Sequence, residues 1–184
     1  MEKELSEMSM AELWTLFPIF LVEQNAEWHK WYKEEEQELR TLIPEHTIHS
    51  VNHIGSTAIK GIKAKNIVDV LVELTEDTDM HEIAKLLSSQ GYIIMSNEGK
   101  RISLNKGYTK TGFAEKVFHI HLRYIGDNDE VYFRDFLNEH PEVATEYESL
   151  KVRLGESFKH NREAYTNAKG EFVKKWTAVA MKEK

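Results

Sequence analysis

The middle third of the chain alternates apolar and polar residues in short runs, a pattern typical of β-strands. Valine and isoleucine are concentrated in these runs, and small or polar residues separate them. The predicted strands cover residues 47–54, 66–74, 92–96, 101–105 and 116–124. Residues 97–100 are short enough for an antiparallel hairpin, whereas residues 106–115, with two glycines and several polar residues, are predicted to form a loop.

Helical periodicity is found on both sides of this region. Ser9 and Glu12 form a capping box that starts a short helix, which should end before Pro18. Asn25 is a plausible cap for the next helix. The predicted helices begin near Met10, Ala26, Asp79, Asp129, Pro141 and Glu163.

Strands in the middle with helices before and after predict an α/β or α+β fold with a mixed sheet and a helical C-terminal third. We expect a single domain over residues 1–184. It would comprise N-terminal helices over 9–42, a sheet-containing core over 46–125 and C-terminal helices over 130–182. Aromatic residues recur at helical spacing in the second helix, so we expect them in the core rather than at a base-stacking surface.

Asp69 lies in the middle of the most apolar predicted strand, "NIVDVLVEL". Side chains alternate across a strand, so Asp69 shares a face with Leu71 and Glu73, and three valines occupy the opposite face. An ionised carboxylate among apolar neighbours needs a metal, hydrogen bonds or a cation as its partner. This strand is therefore the first candidate for a functional site.

A second polar face follows from the strand "KVFHIHLRY". One side would hold Phe118, Ile120 and Leu122, all able to join a core, and the other would hold His119, His121 and Arg123. Two imidazoles and a guanidinium side by side could bind a metal or a phosphate. The same pattern is also found on the solvent-facing side of an antiparallel sheet, and the sequence leaves both interpretations open.

Charge and composition limit the classes of ligand. The net charge is 24 − 31 = −7, which argues against wrapping a nucleic-acid duplex. No acid occurs over residues 46–68 or 99–114, although each segment contains lysines. These two basic segments suggest an anionic small molecule, and solvated loops would explain them equally well.

Cysteine content and the length of apolar runs bear on the compartment and on membrane association. Cysteine is absent, which excludes disulfides and thiolate sites and fits a reducing cytosol. No apolar run reaches the roughly 18 residues that span a bilayer, and the acidic start is unlike a signal peptide. We therefore expect a cytoplasmic protein that does not enter a membrane.

Several familiar catalytic motifs are missing. In "GSTAIKG" the two glycines are one residue further apart than in a phosphate-binding P-loop, and Ile62 follows Gly61 where the P-loop has a lysine. The dinucleotide fingerprint G-x-G-x-x-G is also absent. No H-E-x-x-H zinc motif is present. "HIH" lacks the third alternate histidine of a histidine-triad hydrolase because Arg123 is in its place.

The motifs that are present resemble those of the GrpB family. The resemblance is carried by "HIGSTAIKGIKAKNIVDVLV" from His53, "FHIHLR" from Phe118 and "YFRDFLNEHPEVATEYESLK" from Tyr132, followed by Tyr165 and Lys169. It implies a nucleotidyltransferase-like fold, a small mixed sheet flanked by helices. It also implies kinship with domains fused to dephospho-CoA kinase, sometimes described as kinase or protein-folding accessory domains. No established reaction comes with the family.

Transferred to this chain, the resemblance implies a phosphate-binding turn and a metal-holding strand. Gly55, Ser56 and Thr57 would form the turn, and Asp69 would be the first metal-binding carboxylate. Many relatives have a second carboxylate two residues later, where this sequence has Leu71. This departure puts two-metal nucleotidyl transfer in doubt.

The remaining candidates complete the predicted site. Asp69, His119 and His121 are the candidate catalytic and metal-binding residues. Such a donor set suits Zn²⁺ or Mn²⁺ better than Mg²⁺, which prefers oxygen ligands. The candidate ligand-binding residues are Gly55, Ser56, Thr57, Lys65, Arg101, Arg123 and Arg134. For Arg134, a salt bridge that anchors the C-terminal helices to the sheet is an equal alternative.

Three readings of the site remain open at this point. The domain binds a phosphate-bearing ligand such as a nucleotide without turnover, or it performs phosphoryl chemistry with one divalent metal. In the third reading, Asp69 pairs with Lys65 or a histidine and only stabilises the fold. A non-catalytic accessory module that binds a partner protein, linked to coenzyme A metabolism or protein folding, is the rival function from another class.

Overall fold

Five strands form one mixed sheet in the computed structural model, which describes residues 3–184. The first two residues of the predicted domain therefore lie outside the described residues. The strands are β1 (Ile48–Ile54), β2 (Val68–Leu74), β3 (Ile93–Asn97), β4 (Arg101–Thr109) and β5 (Gly112–Tyr124), arranged in the order β1-β2-β5-β4-β3. The helices are α1 (Met10–Leu16), α2 (Glu27–Leu42), α3 (Met80–Ser88), α4 (Asp129–Glu139), α5 (Pro141–Ser157) and α6 (Arg162–Lys182).

This architecture confirms the predicted α/β class, with a mixed sheet, flanking helices and a helical C-terminal third. The α1 capping box is present, since the Ser9 side chain accepts the Glu12 N–H and the Glu12 carboxylate accepts the Ser9 N–H. Asn25 accepts the Glu27 N–H at 2.9 Å from one position before the N-cap residue, Ala26. Of the helices in residues 3–184, none has both the length and the apolar character needed to cross a bilayer.

The centre of the sheet is the parallel pair β2 and β5, and the other strand pairs are antiparallel. Its register places Asp69 beside His119 and Leu71 beside His121. The predicted alternation is confirmed, because Val68, Val70 and Val72 are fully buried on the face that packs against the core. The carboxylate and the imidazoles consequently share the opposite face.

The predicted loop over residues 106–115 is wrong. β4 continues to Thr109 and β5 begins at Gly112, so a two-residue turn joins them. The strand irregularity lies at Gly107, which has a φ of 95° and marks a shift in register. A Cβ there would overlap the Lys116 carbonyl and lie 3.0 Å from Val117 Cα. The glycine thus permits a bulge in a continuous hairpin instead of ending the strand.

The main apolar core lies between the sheet and helices α2 and α3. The aromatic stripe of α2 belongs to it, since Trp28, Trp31 and Tyr32 are all buried. A second apolar cluster joins α4, α5 and α6 with Ile59 and Ile62 from the segment between β1 and β2. The C-terminal helices are therefore packed onto the segment that the sequence predicts to bind phosphate.

Candidate functional site

The turn after β1 is shaped by a close approach between backbone and carboxylate. Gly55 has φ 74° and ψ −174°, a conformation essentially restricted to glycine. A Cβ at this position would overlap the Asp69 carboxylate, 3.0 Å from its Cγ. The resemblance assigns Gly55 to phosphate approach, and the structure places it against Asp69.

The neighbouring turn residues are divided between two roles. Ser56 lines the cavity described below, beside Gly55. Thr57 is buried, and its hydroxyl is 2.8 Å from His53 Nε2. Thr57 therefore supports the turn and lies outside the cavity lining.

The segment between this turn and β2 is anchored to the C-terminal helices. Asn138 on α4 accepts the Lys60 N–H at 2.8 Å and donates to the Ala58 carbonyl at 3.0 Å. On α5, Glu148 accepts the Lys63 N–H, and Lys151 Nζ donates to the Lys63 carbonyl at 2.7 Å. These contacts fix the segment that carries Lys65 into the site.

Asp69 is held by two imidazoles. His121 Nε2 lies 2.9 Å from Asp69 Oδ1, and His119 Nδ1 lies 3.6 Å from the same oxygen. Burial alone would raise the pKa of Asp69, but its contacts with the two imidazoles outweigh burial and hold the pKa well below its usual value. Asp69 is therefore an ionised carboxylate at neutral pH.

His119 belongs to a chain of hydrogen bonds that fixes its tautomer. Its Nε2 lies 2.6 Å from the Tyr108 hydroxyl oxygen, which accepts a hydrogen bond from Arg162 Nη1. Arginine only donates, so the Tyr108 hydroxyl is free to donate to Nε2, and Nδ1–H then faces Asp69. Burial lowers the pKa of His119, although Asp69 acts in the opposite direction. The imidazole is thus neutral, and both of its nitrogens are engaged.

The donor geometry at Asp69 does not fit a ready-made metal site. His121 and Asp69 hydrogen-bond to each other, His119 Nε2 pairs with the Tyr108 hydroxyl, and His119 Nδ1 faces Asp69 at 3.6 Å. Within residues 3–184, no group of three or more histidine, cysteine, aspartate or glutamate side chains is arranged to hold a metal ion. A divalent metal remains a prediction of the resemblance, and the function proposed below uses no metal step.

A cavity of about 280 Å³ opens beside the Gly55–Ser56 turn. Asp69, His119 and His121 line its sheet side, so the structure brings these predicted residues together. The opposite wall consists of side chains from α5 and α6, which include several cations. The basic residues that line this cavity are Lys65, Lys151, Arg162 and Lys169.

Two of these lysines have altered acidity. Burial lowers the pKa of Lys65 well below its usual value, and Lys169 and Arg162 add to the effect. Burial, together with Lys169, lowers the pKa of Lys151 to about 7. Concentrated positive charge in a poorly solvated cavity would be relieved by an anion.

Two buried donors at this wall have no hydrogen-bond partner among residues 3–184. They are Arg162 Nη2 and the Tyr165 hydroxyl. Both residues line the cavity. Buried polar atoms are normally paired, and a group rich in acceptors in this cavity would supply a partner for both.

A larger cavity of about 680 Å³ adjoins the first. The two share Gly55, Ser56, Asp69 and His121 in their linings. Apolar side chains form much of the lining of the larger cavity, and the acids Asp129 and Glu130 also belong to it. The apolar residues include Ile54, Phe133, Val173 and Met181.

The predicted arginines are placed in different surroundings. Arg101 and Arg123 line the larger cavity, and both are engaged with acids: Arg101 donates to Asp127 at 2.8 Å, and Arg123 Nη2 lies 3.7 Å from Glu130. Arg134 lies outside the lining of either cavity, and its Nη1 donates to the His53 carbonyl at 2.9 Å. Arg134 also pairs with its neighbour on α4, so its geometry is that of an anchor between α4 and β1.

The two basic segments of the sequence also separate. From the first, Lys65 reaches the cavity, whereas Lys63 pairs with Glu23 at 3.3 Å. From the second, Lys106 and Lys110 pair with acids of the N-terminal region. The second segment therefore contributes to packing rather than to the cationic wall.

Sequence reasoning missed most of the cationic wall. Lys151, Arg162 and the hydroxyl of Tyr108 were not singled out, and Tyr165 and Lys169 were noted only as part of a resemblance. The four-residue spacing of the last pair on a helix was an available signal, since such residues share one face. Nothing in the sequence indicates which element that face covers.

Three comparisons identify relatives of this chain. The family model described as GrpB protein matches residues 18–178. The glutamate-rich protein GrpB of Alkalihalophilus pseudofirmus is 35% identical over 165 residues, covering 84% of this chain and 91% of that protein. The UPF0157 protein YqkA of Bacillus subtilis is 26% identical over 170 residues; the alignment covers 91% of this chain but only 48% of that longer relative. The crystal structure of conserved protein GrpB from Enterococcus faecalis superposes with a TM-score of 0.76 at 28% identity, over 89% of this chain and 98% of that one.

Proposed function

This chain belongs to the GrpB family, and from that premise we propose that it binds a nucleotide or another phosphate-bearing small molecule in the two adjoining cavities. The observation that carries the proposal is the cationic wall of the smaller cavity, with its unpaired buried donors Arg162 Nη2 and Tyr165 Oη. Phosphate oxygens are acceptors only and carry negative charge, which matches both properties of that wall.

The two cavities suit the two parts of such a ligand. The phosphate lies among Lys65, Arg162 and Lys169, beside the Gly55–Ser56 turn. The organic part occupies the larger cavity, whose lining includes apolar side chains such as Phe133, Val173 and Met181. Binding without turnover is the form of the proposal that the contacts favour, because His119 Nε2 is bonded to the Tyr108 hydroxyl and His121 is bonded to Asp69.

Removal of one cavity cation tests the proposal directly. In Lys169→Gln, we expect the dissociation constant for pyrophosphate to rise by roughly 10- to 100-fold, because one charged hydrogen bond is lost. Isothermal titration calorimetry measures the change. Lys182→Gln is the matched control, since Lys182 is exposed on the same helix and lies outside both cavity linings.

Screening of pyrophosphate, nucleotides and coenzyme A species by thermal shift extends the test to the ligand class. The proposal is supported if several of these compounds raise the melting temperature and pyrophosphate is the smallest compound that does so. If none of them shifts the melting temperature, and Lys169→Gln melts like the control variant, the pocket proposal fails and the partner-binding accessory module gains support.

Anion binding should also depend on pH through Lys151. Its pKa of about 7 means that the amine is charged below neutral pH and uncharged above it. A bound anion favours the charged form, so we expect the affinity of the native chain for pyrophosphate to fall relative to that of Lys151→Met as pH rises from about 6 to 8, by up to roughly tenfold, since ionisation of pyrophosphate itself affects both proteins alike. Titration calorimetry across this range measures it, and Lys151→Met should have a flatter profile than the native chain.

A further inference from the structure

The position at which many relatives have a second metal-binding carboxylate is taken here by a buried leucine. Leu71 lies beside His121 in the parallel pair of strands and is fully buried. A leucine side chain offers no ligand to a hard divalent cation, which requires oxygen donors. Glu73, the next acid on this face, is buried and accepts hydrogen bonds from Gly126 N–H and Asn128. The strand therefore presents one cavity carboxylate instead of a pair.

Both carboxylate oxygens of Asp69 are in contact with other groups of the protein. Oδ1 of Asp69 faces the two imidazoles, and Oδ2 is packed against the backbone of Gly55 so closely that no Cβ fits between them. A metal ion would need to displace one of these contacts to approach. The structure thus uses Asp69 to fix the turn and the histidines.

Basic side chains line the same cavity as this carboxylate, and although burial disfavours the charged form of Lys65, a bound phosphate would favour it. Lys65, Arg162 and Lys169 lie on the same cavity lining, and within residues 3–184 neither Lys65 nor Lys169 forms an ion pair with an acid. A divalent cation entering the cavity would be repelled by the charges of Arg162 and Lys169, strongly so where solvent is scarce. The same charges neutralise a phosphate group without any metal.

We propose that this cavity binds the uncomplexed phosphate group of its ligand, with Lys65, Arg162 and Lys169 in the role that divalent metals have in nucleotidyltransferases. The inference rests on the proposed function, since it specifies the ionic form of the ligand at the same site. A magnesium complex is the poorer ligand, because the metal both removes negative charge and brings a cation toward the lysines.

Calorimetry with pyrophosphate, once in EDTA and once in excess magnesium chloride, tests the inference. We expect tighter binding in EDTA than in magnesium chloride, by up to about tenfold. Binding that appears only with magnesium would overturn the inference and leave the proposed function standing. Absence of binding in both buffers would instead overturn the proposed function, and this inference with it.

A variant of the lone carboxylate gives a second measurement with opposite expectations. If Asp69 held a metal that carries the phosphate, Asp69→Asn would abolish binding. In the metal-free arrangement Asp69 carries no metal, so the native chain and a variant that folds by circular dichroism should respond alike when EDTA replaces magnesium chloride, whatever the affinity of the variant. A magnesium-dependent gain in affinity that is present in the native chain and lost in the folded variant would contradict the inference.

Discussion

Gly55→Ala is expected to lower the free energy of unfolding by about 3 kcal/mol, from backbone strain and overpacking together. The φ of 74° with extended ψ excludes side chains, and the new Cβ would collide with the Asp69 carboxylate. Displacement of Asp69 would also release His119 and His121 from their positions. Urea denaturation measures the stability, and loss of pyrophosphate binding in the folded fraction measures the damage to the site.

Gly61→Ala is the matched control for this experiment. Gly61 also has a positive φ, 77°, but its missing Cβ would meet nothing within 4 Å. Its substitution should cost only the backbone term, about 1–2 kcal/mol. If both variants lost the same stability, the contact between Gly55 and Asp69 would have no energetic importance.

Lys106→Met is the second substitution with a large expected effect, a loss of about 3 kcal/mol. Lys106 Nζ lies 2.8 Å from Glu35 Oε2, and the Glu35 side chain is only 2% exposed. The hydroxyl of Tyr92 donates to the other oxygen of Glu35. Without the ammonium group, a carboxylate would remain in the interface between α2 and the sheet with a single neutral partner.

An exposed ion pair serves as the control, because it shows what loss of a lysine charge costs when the carboxylate is not buried. Lys116→Met removes the partner of Glu34, which lies on the same helix in solvent, and we expect little change in stability there. Adding Glu35→Gln to Lys106→Met should restore most of the loss, because the uncompensated charge is removed. A double variant as unstable as the single one would show that packing of the lysine stem, rather than charge, is responsible.

The faces of β2 and β5 could be predicted because a strand alternates its side chains strictly. Period two alone placed Asp69 opposite the valines and put His119 and His121 on one side. That these strands are adjacent and parallel depends on tertiary contacts that a local pattern does not contain. The extension of the hairpin past Gly107 was missed for a related reason, since a glycine in a bulge and a glycine in a loop look the same in one sequence.

The cationic wall illustrates the remaining limit. Lys65 was identified because it lies near the motif in sequence, whereas Arg162 and Lys169 come from a helix whose packing onto the sheet is a long-range event. Their chemistry is visible only after α6 is placed against the Gly55–Ser56 turn. Residue type predicted the sheet side of the site, and fold topology decided the other side.

The division of the cavity between β2 and α6 has a consequence during synthesis on the ribosome. Translation delivers roughly 5–20 residues per second from the N-terminal end, so Asp69 emerges several seconds before Arg162 and Lys169. A nascent chain in that interval has Lys65 and the carboxylate side of the cavity but lacks the cations of α5 and α6, so most of the proposed phosphate contacts are missing. A phosphate-bearing ligand in the cell can therefore assist only the last step of folding, in which α6 docks against the sheet.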